Sequence, residues 1–145
     1  MGRSIKWLFV YGTLLSRSRD QIGNDMRRDL HKHSLERCPA RVPGLLYDLG
    51  GYPGWIEQTG SNNWVYGEVL RLNEPTRVFS WLDPYENIDP LHPEDGEYAR
   101  VTQHVVTLAG EQVRSWVYAY RGDLASRRRI QSGRWLATPR GRGMD

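Results

Sequence analysis

The residues best suited to bind an anion directly follow the first apolar run, at residues 7–10. They are Tyr11, Gly12, Thr13 and Leu14. A glycine between an aromatic and a hydroxyl residue allows the chain to turn sharply, and such a turn presents consecutive backbone N–H groups that can bind an anion. An ordinary strand-to-loop turn is the alternative interpretation of the same four residues.

A second feature that could do chemistry is a carboxylate just after a predicted helix. Residues 83–97 contain six acidic residues and no lysine or arginine, and Glu86 follows the helix. Neighbouring negative charges and partial burial make ionisation of such a carboxyl group harder, which favours a role as general base. The rival carboxylate is Glu97, at the start of the next strand, which could instead pair with Arg100 or a neighbouring arginine. A solvated acidic loop is the alternative interpretation of the segment.

A stripe of aromatic side chains on two predicted strands is the third candidate. By the period of two, Trp116, Tyr118 and Tyr120 share one face, and Tyr98 begins the preceding strand. Most such stripes are core, but tyrosine hydroxyls that line a barrel also bind ligands, so Tyr98 and Tyr120 are candidate substrate contacts.

Histidine and cysteine provide no further candidate. The four histidines are scattered, and the single cysteine, Cys38, has neither a disulfide partner nor a second metal ligand at CxxC spacing. No nucleophile signature surrounds any serine, threonine or cysteine. We therefore expect no metal site and no disulfide.

Hydropathy patterns predict the elements that would position these groups. The predicted strands are residues 7–10, 40–49, 64–72, 99–108 and 113–121, of which the last two form a hairpin and 64–72 is central. A bend or bulge is expected at Pro43-Gly44, and a cluster of turns at residues 50–54. The most regular helical pattern covers residues 74–83 and ends at Asp83-Pro84, and a short helix is expected at 24–30.

These elements indicate the fold class. Strands outnumber helices and no βαβ unit repeats, so the class is α+β. We predict a small mixed, mainly antiparallel β-barrel with flanking helices, whose interior could hold a ligand.

Length and composition bound the possibilities. A chain of 145 residues has room for one domain, and 39% apolar residues, including 6 tryptophans, can build its core. No apolar run approaches the roughly 18 residues that span a bilayer, and no signal-peptide core follows Met1. These features predict a cytoplasmic protein without a membrane partner.

Positive charge is concentrated near the C-terminus. Residues 121–145 hold seven arginines against two aspartates, although the net charge of the chain is only +3. We expect this region to be solvated and partly disordered, with a domain at residues 1–138 and a basic, flexible tail at 139–145. No recognised binding motif accompanies the arginines, which argues against nucleic acid as a partner.

Seven motifs, taken in order along the chain, resemble the γ-glutamylcyclotransferase-like family, including its AIG2-like and γ-glutamylamine cyclotransferase branches. They are FVYGTL at 9–14, Tyr52-Pro53, WVYGEVL at 64–70, WLDPYE at 81–86, EYAR at 97–100, WVYAY at 116–120 and SGRW at 132–135. The resemblance spans nearly the whole chain. It implies a small β-barrel flanked by helices, with a cavity at the barrel mouth.

The resemblance also implies a reaction on a small γ-glutamyl substrate. In active members the free α-amine attacks the γ-carbonyl, which releases an amine or amino acid and leaves 5-oxoproline. The substrate-binding loop of the family falls on residues 11–14 and its catalytic glutamate on Glu86. No cofactor is needed, because both reacting groups belong to one substrate.

Two departures from the family pattern leave alternatives open. Some relatives keep only the glutamate that corresponds to Glu97, so the base is either Glu86, which we favour, or Glu97. The usual SGDW is SGRW here, with Arg134 in place of an acid. The alternative functions are a non-catalytic module that binds a small carboxylate, and a protein that binds RNA or a partner through its arginines.

Overall fold

The computed structural model describes residues 5–11, 28–50, 52–58, 60, 62–85 and 97–135. The strands are β1 (Trp7–Val10), β2 (Ser34–Asp48), β3 (Pro53–Glu57), β4 (Trp64–Leu72), β5 (Tyr98–Thr107), β6 (Gln112–Tyr120) and β7 (Arg128–Arg129). Helix α1 is described over residues 28–32, and helix α2 is Pro75–Tyr85. In this described part of the chain, neither helix has the length and apolar character needed to cross a membrane.

Five strands close into a barrel. Their order is β1, β4, β2, β3, β6 and back to β1. The pairs are antiparallel except for β6 with β1 and β6 with β3, which are parallel. Strand β5 forms the predicted antiparallel hairpin with β6 and also pairs with β2. The predicted α+β class and mixed, mainly antiparallel barrel are confirmed.

The centre of the barrel is filled with apolar side chains. Every strand from β1 to β6 contributes to one buried cluster, whereas α1 and α2 contribute nothing to it. Its largest fully buried members are Phe9 and Trp55. Among the described residues, apolar side chains therefore occupy the axis of the barrel, and a ligand site in the barrel stays a prediction.

A second cluster joins the outside of the barrel to the helices. Val78, Phe79 and Leu82 of α2 recur at helical spacing and pack on apolar residues of β1 and β4, and Leu30 of α1 joins them. Tyr98, Tyr118 and Tyr120 also belong to this outer cluster. The predicted aromatic stripe therefore shares a face as expected, but that face is turned toward the helices.

The bend predicted in the second strand exists at Gly44. Up to Pro43, β2 pairs with β4, and from Gly44 onward it pairs with β3. Gly44 has a φ of +144°, and a Cβ at this position would collide with the indole of Trp55. Only glycine allows both this backbone conformation and the close approach of the tryptophan.

Two predictions of local structure are wrong. Pro53 and Gly54, assigned to a turn cluster, begin β3, because proline is tolerated as the first residue of a strand and Gly54 leaves room for the ring of Tyr120. Helix α2 continues through Pro84 to Tyr85, since a proline in the last turn removes only one backbone donor. Residues 24–27 of the predicted short helix lie outside the described residues, and α1 extends to residue 32.

In the arginine-rich region, Arg121, Arg127, Arg128 and Arg134 are exposed, as predicted for a solvated region. Its described part, up to residue 135, packs on the barrel: β7 pairs with Tyr47 and Asp48 of β2. A guanidinium nitrogen of Arg127 donates to the carbonyl of Leu49 at 2.9 Å, and the backbone N–H of Ile130 donates to that of Leu46 at 2.7 Å. Residues 136–145, which include the predicted tail, lie outside the described residues.

Candidate functional site

The first predicted site residue, Tyr11, is held firmly where β1 ends. Its buried hydroxyl donates to the carbonyl of Tyr118 at 2.5 Å and accepts the backbone N–H of Trp55 at 3.0 Å. These two hydrogen bonds tie the first residue of the predicted anion-binding loop to β6 and β3. The other three loop residues, Gly12, Thr13 and Leu14, lie outside the described residues.

The C-terminal end of α2 is held by an ion pair that the sequence analysis missed. Arg100 donates from Nε and Nη2 to the two carboxylate oxygens of Asp83, at 2.9 and 3.2 Å. The hydroxyl of Tyr118 donates to the same carboxylate at 2.6 Å. The guanidinium of Arg100 also lies 3.9 Å from the centre of the Phe79 ring and 4.4 Å from that of Trp116. Arg100 of β5 and Tyr118 of β6 thus fix the last turn of α2 on the sheet.

No local sequence pattern identifies Asp83 as a site residue, because its role depends on which basic side chain the fold places next to it. In the sequence, Asp83 is one of six acidic residues between positions 83 and 97, and Glu97 was the predicted partner of Arg100. In the structure, Arg100 pairs with Asp83, because the helix lies across the sheet and brings its last turn over β5. Glu86, three residues beyond Asp83, lies outside the described residues.

Tyr118 connects the two predicted parts of the site. Its backbone carbonyl accepts from Tyr11, at the start of the loop, and its hydroxyl donates to Asp83, at the end of α2. One residue of β6 therefore holds the chain just before residues 12–14 and just before Glu86. A cleft of about 560 Å³ runs along α2 from Pro75 to Pro84, and Lys6, Arg100 and Trp116 also line it.

The rival carboxylate, Glu97, accepts a hydrogen bond from the hydroxyl of Tyr52 at 2.8 Å. This hydrogen bond, followed by burial and the negative charge of Glu97, raises the pKa of the Tyr52 phenol. The backbone carbonyl of Glu97 accepts from the N–H of Arg121 at 2.7 Å. Side chain and backbone both join the start of β5 to neighbouring loops.

The two predicted substrate contacts, Tyr98 and Tyr120, pack edge to face with ring centres 5.8 Å apart. Their hydroxyls donate to the carbonyls of Pro53 and Asp123, at 2.5 and 3.3 Å. Both rings are buried. In the described structure, these tyrosines brace the start of β3 and the chain after β6.

Metal-binding and thiol chemistry have little support here. Across the part of the chain that the structure describes, no group of three histidine, cysteine, aspartate or glutamate side chains could hold a metal ion. Burial, followed by the negative charge of Glu36, raises the pKa of the Cys38 thiol, so this side chain stays protonated and is a poor nucleophile at neutral pH.

Comparison with known proteins agrees with this architecture. The family model for γ-glutamyl cyclotransferase, AIG2-like, matches residues 8–137. A protein of Vibrio cholerae named "Putative gamma-glutamylcyclotransferase" is 33% identical over 129 residues, which cover 88% of this chain and 93% of that protein.

Solved structures show the same fold. YkqA from Bacillus subtilis aligns with a TM-score of 0.64 and 24% identity over 90% of this chain, which spans only 39% of that protein. A mouse AIG2-like protein aligns with a TM-score of 0.58 and 22% identity, over 81% of this chain and 78% of its own. The protein ytfP from Escherichia coli aligns with a TM-score of 0.55 and 29% identity, over 92% of this chain and 99% of its own chain. The chain therefore belongs to the γ-glutamyl cyclotransferase, AIG2-like family.

Proposed function

We propose that this protein cyclises a γ-glutamyl amine or γ-glutamyl amino compound, releasing 5-oxoproline and the amine. Residues 11–14 bind the α-carboxylate and α-amine of the substrate through backbone groups, and Glu86 is the general acid and base. We assign this activity to residues 1–138. The tail at 139–145 has no role in it.

The chemistry needs a proton carrier close to the substrate nitrogen. The α-ammonium must lose a proton before its nitrogen can attack the γ-carbonyl carbon, and the nitrogen loses a second proton as the lactam forms. The C–N bond to the leaving amine then breaks, and that nitrogen takes up two protons, so the protons balance. One carboxylate can move both protons in turn, and folding the substrate into a five-membered ring supplies the proximity.

The observation that carries the proposal is the double attachment at Tyr118. A catalytic base must be kept within hydrogen-bonding reach of the bound substrate. Here the first residue of the proposed binding loop, Tyr11, and the last turn before Glu86 are both held by one residue, through hydrogen bonds of 2.5 and 2.6 Å. Such a shared support is what two segments need if they act on the same small molecule.

The contacts of Glu97 favour Glu86 as the base. Glu97 is engaged by the Tyr52 hydroxyl, and its backbone joins β5 to the chain after β6. A carboxylate with a structural partner of this kind has to break or share that contact to exchange protons with a substrate. We therefore keep Glu97 as a bracing residue in the proposal.

The test is a panel of γ-glutamyl amines and amino acids incubated with the full chain, with 5-oxoproline and glutamate both quantified. Glu86→Gln should fold and bind but lose about 10²- to 10⁴-fold in turnover, the usual effect of removing a general acid-base group. Glu97→Gln is the matched control and should change turnover far less, because the glutamine oxygen still accepts from Tyr52.

Three results would contradict the proposal in distinguishable ways. Loss of activity in Glu97→Gln with Glu86→Gln still active would make Glu97 the base. Release of glutamate in place of 5-oxoproline, or equal turnover of an N-acetylated substrate, whose amide nitrogen is a poor nucleophile, would indicate a hydrolase. Binding of γ-glutamyl compounds without turnover of any of them would indicate the non-catalytic module.

A further inference from the structure

A separate cleft of about 660 Å³ lies on the outer face of the barrel, where β2 runs between β4 and β5. Arg41 of β2 is directly opposite Tyr66 of β4 and Val106 of β5, so these three side chains share one face of the sheet. By the period of two, Pro39, Glu68 and Leu108 lie on that face as well. All six line the cleft.

Two guanidinium groups at this cleft lie over aromatic rings. Arg41 lies 4.0 Å from the centre of the Trp64 ring, and Arg134 lies 4.0 Å from that of Tyr66. Stacking of this kind fixes the plane of a guanidinium while its N–H edges remain able to bind an oxyanion in bidentate fashion. Tyr66 lies directly beside Arg41 in the sheet, so the two cations are neighbours.

The charge of the cleft is positive. Within the described ranges, the ion pairs of arginine are those of Arg37, Arg71, Arg77 and Arg100, and neither Arg41 nor Arg134 has a carboxylate within 4.0 Å. The one acidic residue of the lining, Glu68, is paired with Arg37 at 3.0 Å. Two preorganised cations therefore face a cleft whose negative charge is already neutralised.

An apolar wall lies next to these cations. Leu108 is 83% exposed, although most large apolar side chains of this protein are buried, and Val106 and Pro39 continue its surface. The volume of the cleft is in the range of sites that bind small molecules, which combine apolar walls with a few placed polar groups.

We propose that this cleft binds a small organic anion. Arg41 and Arg134 hold its phosphate or carboxylate group, and its apolar body covers Val106 and Leu108. The proposal is independent of the cyclotransferase activity, because none of these residues belongs to the site described above.

The test is a set of titrations of the full chain, followed by calorimetry. Adenosine 5′-monophosphate probes a phosphate on a planar body, 2-naphthoate probes a carboxylate on an apolar body, and adenosine and inorganic phosphate are the two halves of the first probe. At least one of the two organic anions should bind more tightly than either half. Which of them binds identifies the anionic group.

Variants then locate the binding. Arg41→Gln and Arg134→Gln should each weaken binding of that anion by about tenfold, because each removes charge-assisted hydrogen bonds. Leu108→Ser should weaken it by roughly threefold through loss of apolar contact. The matched control is Arg77→Gln, which makes the same change in charge on the exposed face of α2 and should leave the affinity unchanged. Circular dichroism and thermal melting of each variant check the fold.

Four results would overturn the proposal. They are the absence of binding by both organic anions, binding of uncharged adenosine at least as tight as that of the tighter organic anion, an unchanged affinity in both arginine variants, and a single-stranded oligonucleotide that binds far more tightly than the mononucleotide through the same arginines. The last result would make the face a nucleic-acid surface.

Discussion

The two faces of the barrel sheet are built from different chemistry. On the inner face, residues such as Phe9, Val65 and Trp55 are fully buried, and the cluster consists almost entirely of apolar side chains from six strands. On the face that meets α2, apolar packing is interrupted by Asp83 and Arg100, whose side chains remain partly exposed, and by the hydroxyl of Tyr118.

The inner face therefore contributes mainly to stability, whereas the face that meets α2 carries the groups that can take part in chemistry. A filled apolar interior is rigid and lowers the free energy of the folded state, but it offers nothing that can exchange protons or bind a charged substrate. The charged groups lie at the partly exposed face, and the rigid interior holds them in position. Substitutions on the inner face should therefore affect stability first, and substitutions at the helix-covered face should affect activity first.

The largest effect on stability is expected from Trp55→Ala. Trp55 is 0% exposed, and its removal leaves a cavity at the centre of the barrel, so unfolding should require about 3–5 kcal/mol less free energy. Denaturation in urea measures this difference. Leu35→Ala is the control, because this side chain is 55% exposed and its loss should cost less than about 0.5 kcal/mol. Equal costs for the two variants would contradict the assignment of the inner face.

Tyr11→Phe tests the hydrogen bonds that cross from the inner cluster to the strand backbone. Without the hydroxyl, the carbonyl of Tyr118 and the N–H of Trp55 lose a buried partner, and unfolding should require about 2 kcal/mol less. Because the same hydroxyl holds the start of the proposed loop, the KM for the substrate should also rise. Tyr47→Phe is the control, since no hydrogen bond joins its hydroxyl to the described residues. A Tyr11 variant with wild-type stability would show that these bonds are not formed in solution.

In contrast to the inner-face variants, Asp83→Asn should lower activity more than stability. The amide still accepts one hydrogen bond from Tyr118, so the stability should fall by only about 1–2 kcal/mol, the cost of weakening a half-buried ion pair. Under the proposed function, displacement of the segment before Glu86 should lower kcat by roughly 10- to 100-fold. Glu74→Gln, which breaks the exposed pair with Arg77, is the control and should affect neither quantity. An unchanged kcat would separate the anchor of α2 from catalysis.

The difference in stability between Tyr52→Phe and wild type should depend on pH. The pKa of Tyr52 is raised above 10.0 in the folded state, so its protonated phenol stabilises the fold below that pH, and this contribution is lost as the pH rises through the higher folded pKa. The variant should be on the order of 1 kcal/mol less stable than wild type at pH 7. The difference should shrink in strongly alkaline buffer. Denaturation curves at neutral and alkaline pH measure it, and a difference that stays constant would exclude the hydrogen bond with Glu97 as its cause.

The smallest effect is expected from removal of residues 140–145. This segment is rich in glycine and arginine and has little apolar surface to bury, so turnover should stay within about twofold of the full chain. A cut after Gly133 is the contrasting variant. It removes Trp135, which packs against the inner cluster, and should lower the melting temperature. Loss of activity in the shorter deletion alone would show that the tail contributes to the site.

Local patterns were sufficient for some elements. The hairpin of β5 and β6 was predicted to within two residues at each end, because β-branched and aromatic residues flank a short turn sequence and both strands are neighbours in the chain. Strand β4 and the bend at Gly44 were also predicted, because their signals come from residues that are neighbours in the chain. Strand β3 was missed, because Pro53-Gly54 resembles a turn until Tyr120, 66 residues later, packs against the glycine.

Some residues of the candidate site were also predicted from the sequence, whereas their contacts were not. Tyr11, Glu97, Tyr98 and Tyr120 were singled out by residue type and by resemblance, yet their partners are backbone groups and side chains from distant parts of the chain. Asp83 was not singled out at all, since an aspartate among six acidic residues has no local signature. Its partner, Arg100, lies 17 residues away across the acidic segment.

The sequence by itself determined the family, the α+β class and those strands, such as β4, β5 and β6, in which apolar and polar residues alternate along the chain. Only the tertiary structure decided which face of the sheet became the solid interior, that the arginines at 127–129 pack on β2, and that Tyr118 joins the loop to the helix. The physical reason is that period and turn chemistry act between neighbours in the chain. Barrel closure and ion pairing depend on which distant groups the folded sheet brings within a few ångströms.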